Sequence, residues 1–531
     1  MFNVLVADGM EKEGVEIFQK HKDINVDVKK GLSSEEILQI IDKYDGLVVR
    51  SATKFKGELL EKAKNIKVVG RAGAGVDNID VEAASKKGII VMNTPGGNSA
   101  AVAELAIAMM LTLSRHIVKA SMSMKEGRWE KSPLAKTSVE VAGKTLGLLG
   151  AGNIGSLVAN KAIGLKMNVL VYDPFLTEEK ASILGVKKVD GIDKIFADSD
   201  YISLHLPKNE ETIGLINKNS FGKMKDGVFI VNCARGGIID EKDLLDALNS
   251  GKVQGAGLDV FVKEPVDPSD PLVMHPNVVC TPHLGASSIE AQINVSIAIA
   301  EQLCDFFIKG EIRNAINAPS LDAATRELIS PYTELAQKMG TLYKQIANTN
   351  ISEISVDYEG EVNNLPISSI TNSLLIGLLS GNVEGINFIN AANIAKDMGI
   401  KIQETKKQES LDYASQITLN VKHKEGESVI KGAVFKKGVI RIVEIDGFVL
   451  DFVPKGNLLL TLNNDVPGFI GEIGTLIGSA GLNISNMELG RKKNIGKALS
   501  FIQVDGEITD DILDKVSNIK ALEKVYRIKM G

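Results

Sequence analysis

Short runs of consecutive apolar residues alternate with amphipathic segments along the first three hundred positions. Residues 3–7, 46–50, 67–70 and 89–92 read as strands buried on both faces, and a helix begins at Lys12. Buried strands separated by helices predict a parallel α/β sheet. Residues 98–113 form one long apolar helix that links this unit to a second series. That series has strands at 144–149, 168–172, 201–206, 228–232, 256–259 and 278–281. Residues 287–310 read as a helix that crosses back to the first unit. The pattern predicts two doubly wound α/β domains with a cleft between them, one from residues 1–97 plus 286–316 and one from 98–285.

The period changes after Asn317-Ala318-Pro319. Ile354, Val356 and Tyr358 alternate with Ser355, Asp357 and Glu359, and Ile417, Leu419 and Val421 repeat the alternation. Asp446-Gly447 between two apolar runs is a hairpin signal. Residues 317–454 therefore read as an α+β domain. The remainder, 455–531, has strands at 457–462, 482–489, 497–504 and 523–529. A helix ending at 481 and another at 509–516 complete a βαββαβ order, that of a ferredoxin-like sandwich.

A length of 531 residues accommodates about three to four domains. The net charge of −6 argues against nucleic acid or an anionic membrane as a general partner. Three cysteines, Cys233, Cys280 and Cys304, are too few and too scattered for a disulfide framework or a metal site, so no metal is expected. No apolar run is long enough to span a bilayer, and the acid at Asp8 comes too early for a signal peptide. A cytoplasmic protein is expected. Only ten of the 61 cationic residues are arginines. Arg50, Arg71 and Arg235 stand in apolar or glycine-rich surroundings at strand ends, where a planar bidentate donor serves a cleft.

Gly150-Ala151-Gly152-Asn153-Ile154-Gly155 lies between a buried strand and a helix, and Asp173 follows the last glycine by 18 residues. A strand, a tight glycine turn and a helix N-terminus cradle a pyrophosphate, and the later carboxylate accepts the adenosine ribose hydroxyls, so the second domain is Rossmann-like. An acid followed by Pro174 selects NAD over NADP. Hydride chemistry also needs a base and a cation for the substrate. Among six histidines, His283 follows a strand in Thr281-Pro282-His283-Leu284-Gly285. Glu264, after the preceding strand, is placed to orient it, and Arg235 to fork onto a carboxylate. His205, flanked by Leu204 and Leu206, is the competing base. Trp129, the sole tryptophan, is expected at a subunit contact, with Lys131 beside it as a further cation.

At these segments the chain resembles the D-2-hydroxyacid dehydrogenase family, over about residues 1–316. The resemblance implies Arg235, Glu264 and His283 as catalytic residues. It implies cofactor contacts from Gly150, Gly152, Asn153, Ile154, Gly155, Asp173, Cys233, Ala234, Asp259, His283, Gly285 and Ala286. Within the family, the whole chain resembles the long-form branch that oxidises 3-phosphoglycerate with NAD. The segments Arg71 to Asn78 and Asn93 to Ser99 carry that likeness, and imply substrate binding by Arg50, Ser51, Arg71, Gly73, Asn98 and Arg235. Leu206 and Ala74 depart from the family pattern, which has Thr at both positions in many relatives. Residues 317–454 resemble that branch's allosteric substrate-binding domain, and 455–531 its ACT domain. The latter implies an L-serine effector held by Asn463, Asp465 and Asn483 in a homotetramer or homodimer, because such sites form between two copies. Two other readings stay open on the residues: a glyoxylate or hydroxypyruvate reductase, and a non-catalytic nucleotide-sensing scaffold.

Overall fold

The computed structural model describes all residues except 321, 348–349, 382, 384, 408–412, 425 and 531. Strands β1 (Phe2–Val6), β2 (Ile24–Val28), β3 (Gly46–Val49), β4 (Val68–Arg71) and β5 (Ile90–Met92) form one sheet in the order β2-β1-β3-β4-β5. Every pairing in it is parallel. Alternate side chains feed two cores. Val4, Val6, Val48 and Val68 pack on Val295, Ile299, Leu303 and Phe307 of the Ile289–Lys309 helix, so the chain does return to this sheet. Leu5, Leu47, Val49 and Val69 pack on Phe55 and Leu59 on the other face. Strand β2 escaped the sequence reading because it is an edge strand with a mixed, half-polar pattern, Ile-Asn-Val-Asp-Val.

The second sheet comprises β6 (Thr145–Leu149), β7 (Asn168–Tyr172), β8 (Lys187–Lys188), β9 (Tyr201–Leu204), β10 (Val228–Asn232), β11 (Val253–Leu258) and β12 (Val278–Cys280). Its order is β12-β11-β10-β9-β6-β7-β8, so the direction of winding reverses between β6 and β9. Ligands collect at the carboxyl ends of strands beside such a switch point. The Ser99–Arg115 helix buries Val102, Ala106, Met109 and Met110 against this sheet. Strand β11 starts at Val253, three residues before the apolar run suggests. Gln254 and Gly255 break that run, and the register with β10 shifts there.

A third sheet holds β13 (Ile351–Gly360), β14 (Lys401–Lys407), β15 (Ser415–His423), β16 (Gly426–Val434), β17 (Ile440–Ile445) and β18 (Phe448–Phe452), in the order β14-β13-β15-β16-β17-β18. The last sheet is antiparallel, with β19 (Gly456–Asn464), β20 (Asn483–Lys492), β21 (Lys497–Asp505) and β22 (Leu522–Met530) in the order β20-β21-β19-β22. That is the strand order of a ferredoxin-like sandwich. The two C-terminal units share a core: Leu458, Leu460, Leu499 and Phe501 cluster with Phe448, Leu450 and Phe452. The rings of Phe452 and Phe501 stack with centroids 3.7 Å apart. Among the described residues, no single helix is long and apolar enough to cross a membrane.

Candidate active site

The glycine fingerprint joins β6 to the Asn153–Gly164 helix. Gly150 has φ +94°, and a Cβ there would sit 2.5 Å from the His205 carbonyl oxygen. A Cβ on Gly155 would overlap the Gly150 carbonyl, whereas nothing lies within 4 Å of one on Gly152. The turn is thus packed tight from below and open above, the shape that lets a pyrophosphate approach the backbone at a helix N-terminus. Asn153 is exposed at that terminus, and Ile154 packs inward. Asp173, at the end of β7, accepts the Ala151 N–H at 2.8 Å and the Phe175 N–H at 2.8 Å, which fixes its carboxylate beside the fingerprint. These residues fit NAD.

The His283–Glu264 pair comes from two strand ends. Asp259, buried after β11, accepts hydrogen bonds from Thr281 Oγ1 (2.6 Å) and from the N–H groups of Leu284 (2.6 Å) and Gly285 (2.8 Å). The carboxylate thereby holds the loop that carries His283, which adopts φ +55°. Such a backbone persists only where its surroundings over-determine it. His283 Nδ1 lies 2.7 Å from Glu264 Oε2, while Glu264 Oε1 accepts the Phe261 N–H at 3.0 Å. The hydrogen bond to Glu264 raises the imidazole above its ordinary pKa against the opposing effect of burial. Burial pushes the Glu264 carboxyl up, but the hydrogen bonds from His283 and Phe261 outweigh it and leave the group below its usual range. With Nδ1 engaged, Nε2 is the nitrogen free to exchange a proton. His205 lies outside the cleft that His283 lines: its Nε2 meets Ser203 Oγ at 2.9 Å, its Nδ1 is buried without a hydrogen-bond partner, and burial of the ring lowers its pKa to about 4.

A cavity of about 460 Å³ lies between the first two sheets. It is lined by Arg50, Ser51, Arg71 and Gly73 from the first domain and by Arg235, Glu264, His283 and Ala286 from the second. Arg235 follows β10, and its Nε donates to Asp77 Oδ2 at 2.9 Å. Among the described residues, Arg50 and Arg71 form no salt bridge, and Arg71 Nε is buried without a hydrogen-bond partner. Burial, then the repulsion of Arg235, lowers the Arg71 pKa to about 10. Backbone and side-chain contacts fix the Arg50 loop: Asp8 accepts the Arg50 N–H at 2.7 Å, and Asn78 Nδ2 donates to the Arg50 carbonyl at 2.8 Å.

Other expected residues lie apart from that cavity. Cys233 is buried, its thiol pKa raised by burial, and its sulfur lies 3.7 Å from Met109 Sδ. The side chains of Cys233 and Ala234 therefore face the cores. Asn98 stands at the N-terminal boundary of the Ser99–Arg115 helix without a side-chain capping hydrogen bond, and its Oδ1 is buried without a partner. Lys131 begins a short helix. Asp77, Lys208 and Gln292 line the cavity and escaped the sequence reading. Asp77 lies inside the Arg71–Asn78 segment without being singled out there, and no local motif marks Lys208 or Gln292, which reach the cleft through the fold.

In the last sheet, Asp465 pairs with Arg491 at 2.7 Å, and Asn463 is buried with its Oδ1 unpartnered. Asn483 donates to Asp505 at 3.0 Å. The register sets Asn463 opposite Ala498 and Asn483 opposite Asp505, at opposite ends of β21, so one copy does not bring Asn483 to the other two.

A switch-point nucleotide cradle, a Glu-oriented histidine and an arginine-lined cleft define an NAD-dependent 2-hydroxyacid dehydrogenase. Residues 107–285 match the sequence model described as the D-isomer specific 2-hydroxyacid dehydrogenase, NAD binding domain. Residues 328–446 match the D-3-phosphoglycerate dehydrogenase intervening domain. The chain is 41% identical to a D-3-phosphoglycerate dehydrogenase of Synechocystis, over 100% of this chain and 95% of that one. It is 39% identical to that of Bacillus subtilis over the full length of both. Among solved structures, it resembles NAD+-bound 3-phosphoglycerate dehydrogenase of Entamoeba histolytica (33% identity, TM-score 0.51, covering 60% of this chain and 99% of that one). It also resembles Aquifex aeolicus D-lactate dehydrogenase complexed with NAD and lactic acid (30% identity, TM-score 0.53, covering 60% and 100%). The chain belongs to the D-3-phosphoglycerate dehydrogenase family.

Proposed function

We infer that the protein catalyses the NAD-dependent oxidation of 3-phospho-D-glycerate to 3-phosphohydroxypyruvate, the entry step of the phosphorylated route to L-serine. The observation that carries the substrate is the pair Arg50 and Arg71, neither in a salt bridge among the described residues, facing Arg235 across one cavity. A substrate with both a carboxylate and a phosphate needs several charged donors, more than a plain 2-hydroxy acid does. In this reading Arg235 takes the carboxylate and Arg50 and Arg71 the phosphate, with Ser51 and Gly73 lining the same side. Bound NAD supplies the hydride acceptor. His283 Nε2 takes the hydroxyl proton, and Glu264 steadies the resulting imidazolium.

The α-helix Ile117–Lys125 and the loop after it support a homo-oligomer. Ile117, Met122 and Met124 are exposed there, and Trp129 is 76% exposed. The separation of Asn483 from Asn463 and Asp465 within one copy fits an L-serine site completed by a second copy. The deciding experiment follows NADH formation from 3-phosphoglycerate with and without L-serine. Turnover that serine depresses is expected. Turnover of glyoxylate with none of 3-phosphoglycerate would overturn the substrate assignment.

A further inference from the structure

We propose that Asp77 is a built-in competitor for the substrate carboxylate, a latch that occupies Arg235 until substrate displaces it. The inference rests on the reading above that Arg235 binds that carboxylate.

Asp77 and Arg235 belong to different domains, yet Asp77 Oδ2 lies 2.9 Å from Arg235 Nε. A carboxylate on the guanidinium is the contact a 2-hydroxy acid would make there, so the two carboxylates compete for one donor. The approach is built into the backbone. The loop from Gly73 to Asp77 passes so close to the guanidinium that a Cβ on Gly75 would overlap Arg235 Nη2, and would lie 3.1 Å from Asp77 Oδ2. Arg235 Nη1 is turned back onto the Ala234 carbonyl at 2.7 Å, which leaves the Nε edge for a carboxylate.

The latch is weak enough to release. Asp77 is 69% exposed and Arg235 30% exposed, the setting in which ion pairs contribute little. Because its two ends lie on separate domains, breaking the pair couples substrate capture to the relative position of the domains. Asp77 acts on the reaction through Arg235 and is a positioning residue.

The test is Asp77→Asn in the full-length protein, compared with the parent in steady-state kinetics on 3-phosphoglycerate, with NAD affinity measured in parallel by fluorescence. KM is expected to fall about two- to fivefold, the range set by an exposed ion pair of up to about 1 kcal/mol, with kcat within about twofold. Inhibition by oxalate, a small dicarboxylate, should tighten by a similar factor. A KM that is unchanged or raised, with NAD affinity intact, overturns the latch. Absence of turnover in the parent protein would instead overturn the substrate reading. If Asp77→Asn disturbs folding, Asp77→Ser supplies the same comparison at smaller volume.

Discussion

His283 and Glu264 meet at 2.7 Å although 18 residues separate them in the chain. The contact exists because both follow strand ends at the same edge of one parallel sheet, and because buried Asp259 anchors the His283 loop through three hydrogen bonds. Replacing His283 by Ala should leave folding and NAD binding intact and lower turnover about 10²- to 10⁴-fold, the usual contribution of a positioned base. Steady-state rates beside NAD titration check this. Near-normal turnover would remove His283 from the base role.

The pH dependence follows from the same pair. Glu264 raises the His283 pKa, so the neutral imidazole needed to accept a proton appears only above an elevated value. In the oxidative direction kcat/KM should climb with pH along a limb above about 6.5, the unperturbed histidine value. In the reductive direction the protonated form is required and the limb inverts. Glu264→Gln removes the carboxylate charge and should move both limbs to lower pH. Limbs that stay in place would show that Glu264 does not set the His283 pKa.

Arg71→Lys keeps the charge and loses the fork. For 3-phosphoglycerate, kcat/KM is expected to drop about tenfold or more, the effect of losing a hydrogen bond to a charged group. Glyoxylate, which carries no phosphate, should be turned over with little change. Equal losses for the two substrates would detach Arg71 from the phosphate.

Gly150→Ala tests the cradle by stability. The new methyl meets the His205 carbonyl on a backbone at φ +94°, and the combination should cost about 1–3 kcal/mol and weaken NAD binding. Thermal melts with and without NAD measure both effects.

The shared C-terminal core makes a further prediction. Phe501→Ala removes a ring stacked on Phe452, and should destabilise the protein by about 3–5 kcal/mol. Protease sensitivity should increase within 317–454 as well as in 455–531. Cleavage confined to the last unit would argue that the two units fold independently.

The sequence alone determined a large part of this protein. Alternating buried strands and helices specified two parallel α/β units, because burial on both faces of a strand demands a continuous apolar run. The fingerprint and Asp173 specified a dinucleotide because their role depends on local backbone shape and fixed spacing. Arg50, Arg71, Arg235 and His283 stand out in the sequence because rare residue types sit at strand ends, and Glu264 because it follows the strand before the one that leads to His283. Tertiary structure decided what no local pattern encodes. It separated His283, in the cleft, from His205, half-buried beside the fingerprint. It brought Asp77 onto Arg235 from another domain, placed Asn483 far from Asn463 in one copy, and merged the cores of two units that read as separate. Each of these depends on distances between segments remote in the chain, which are set by how sheets and helices pack and not by the residues on either side.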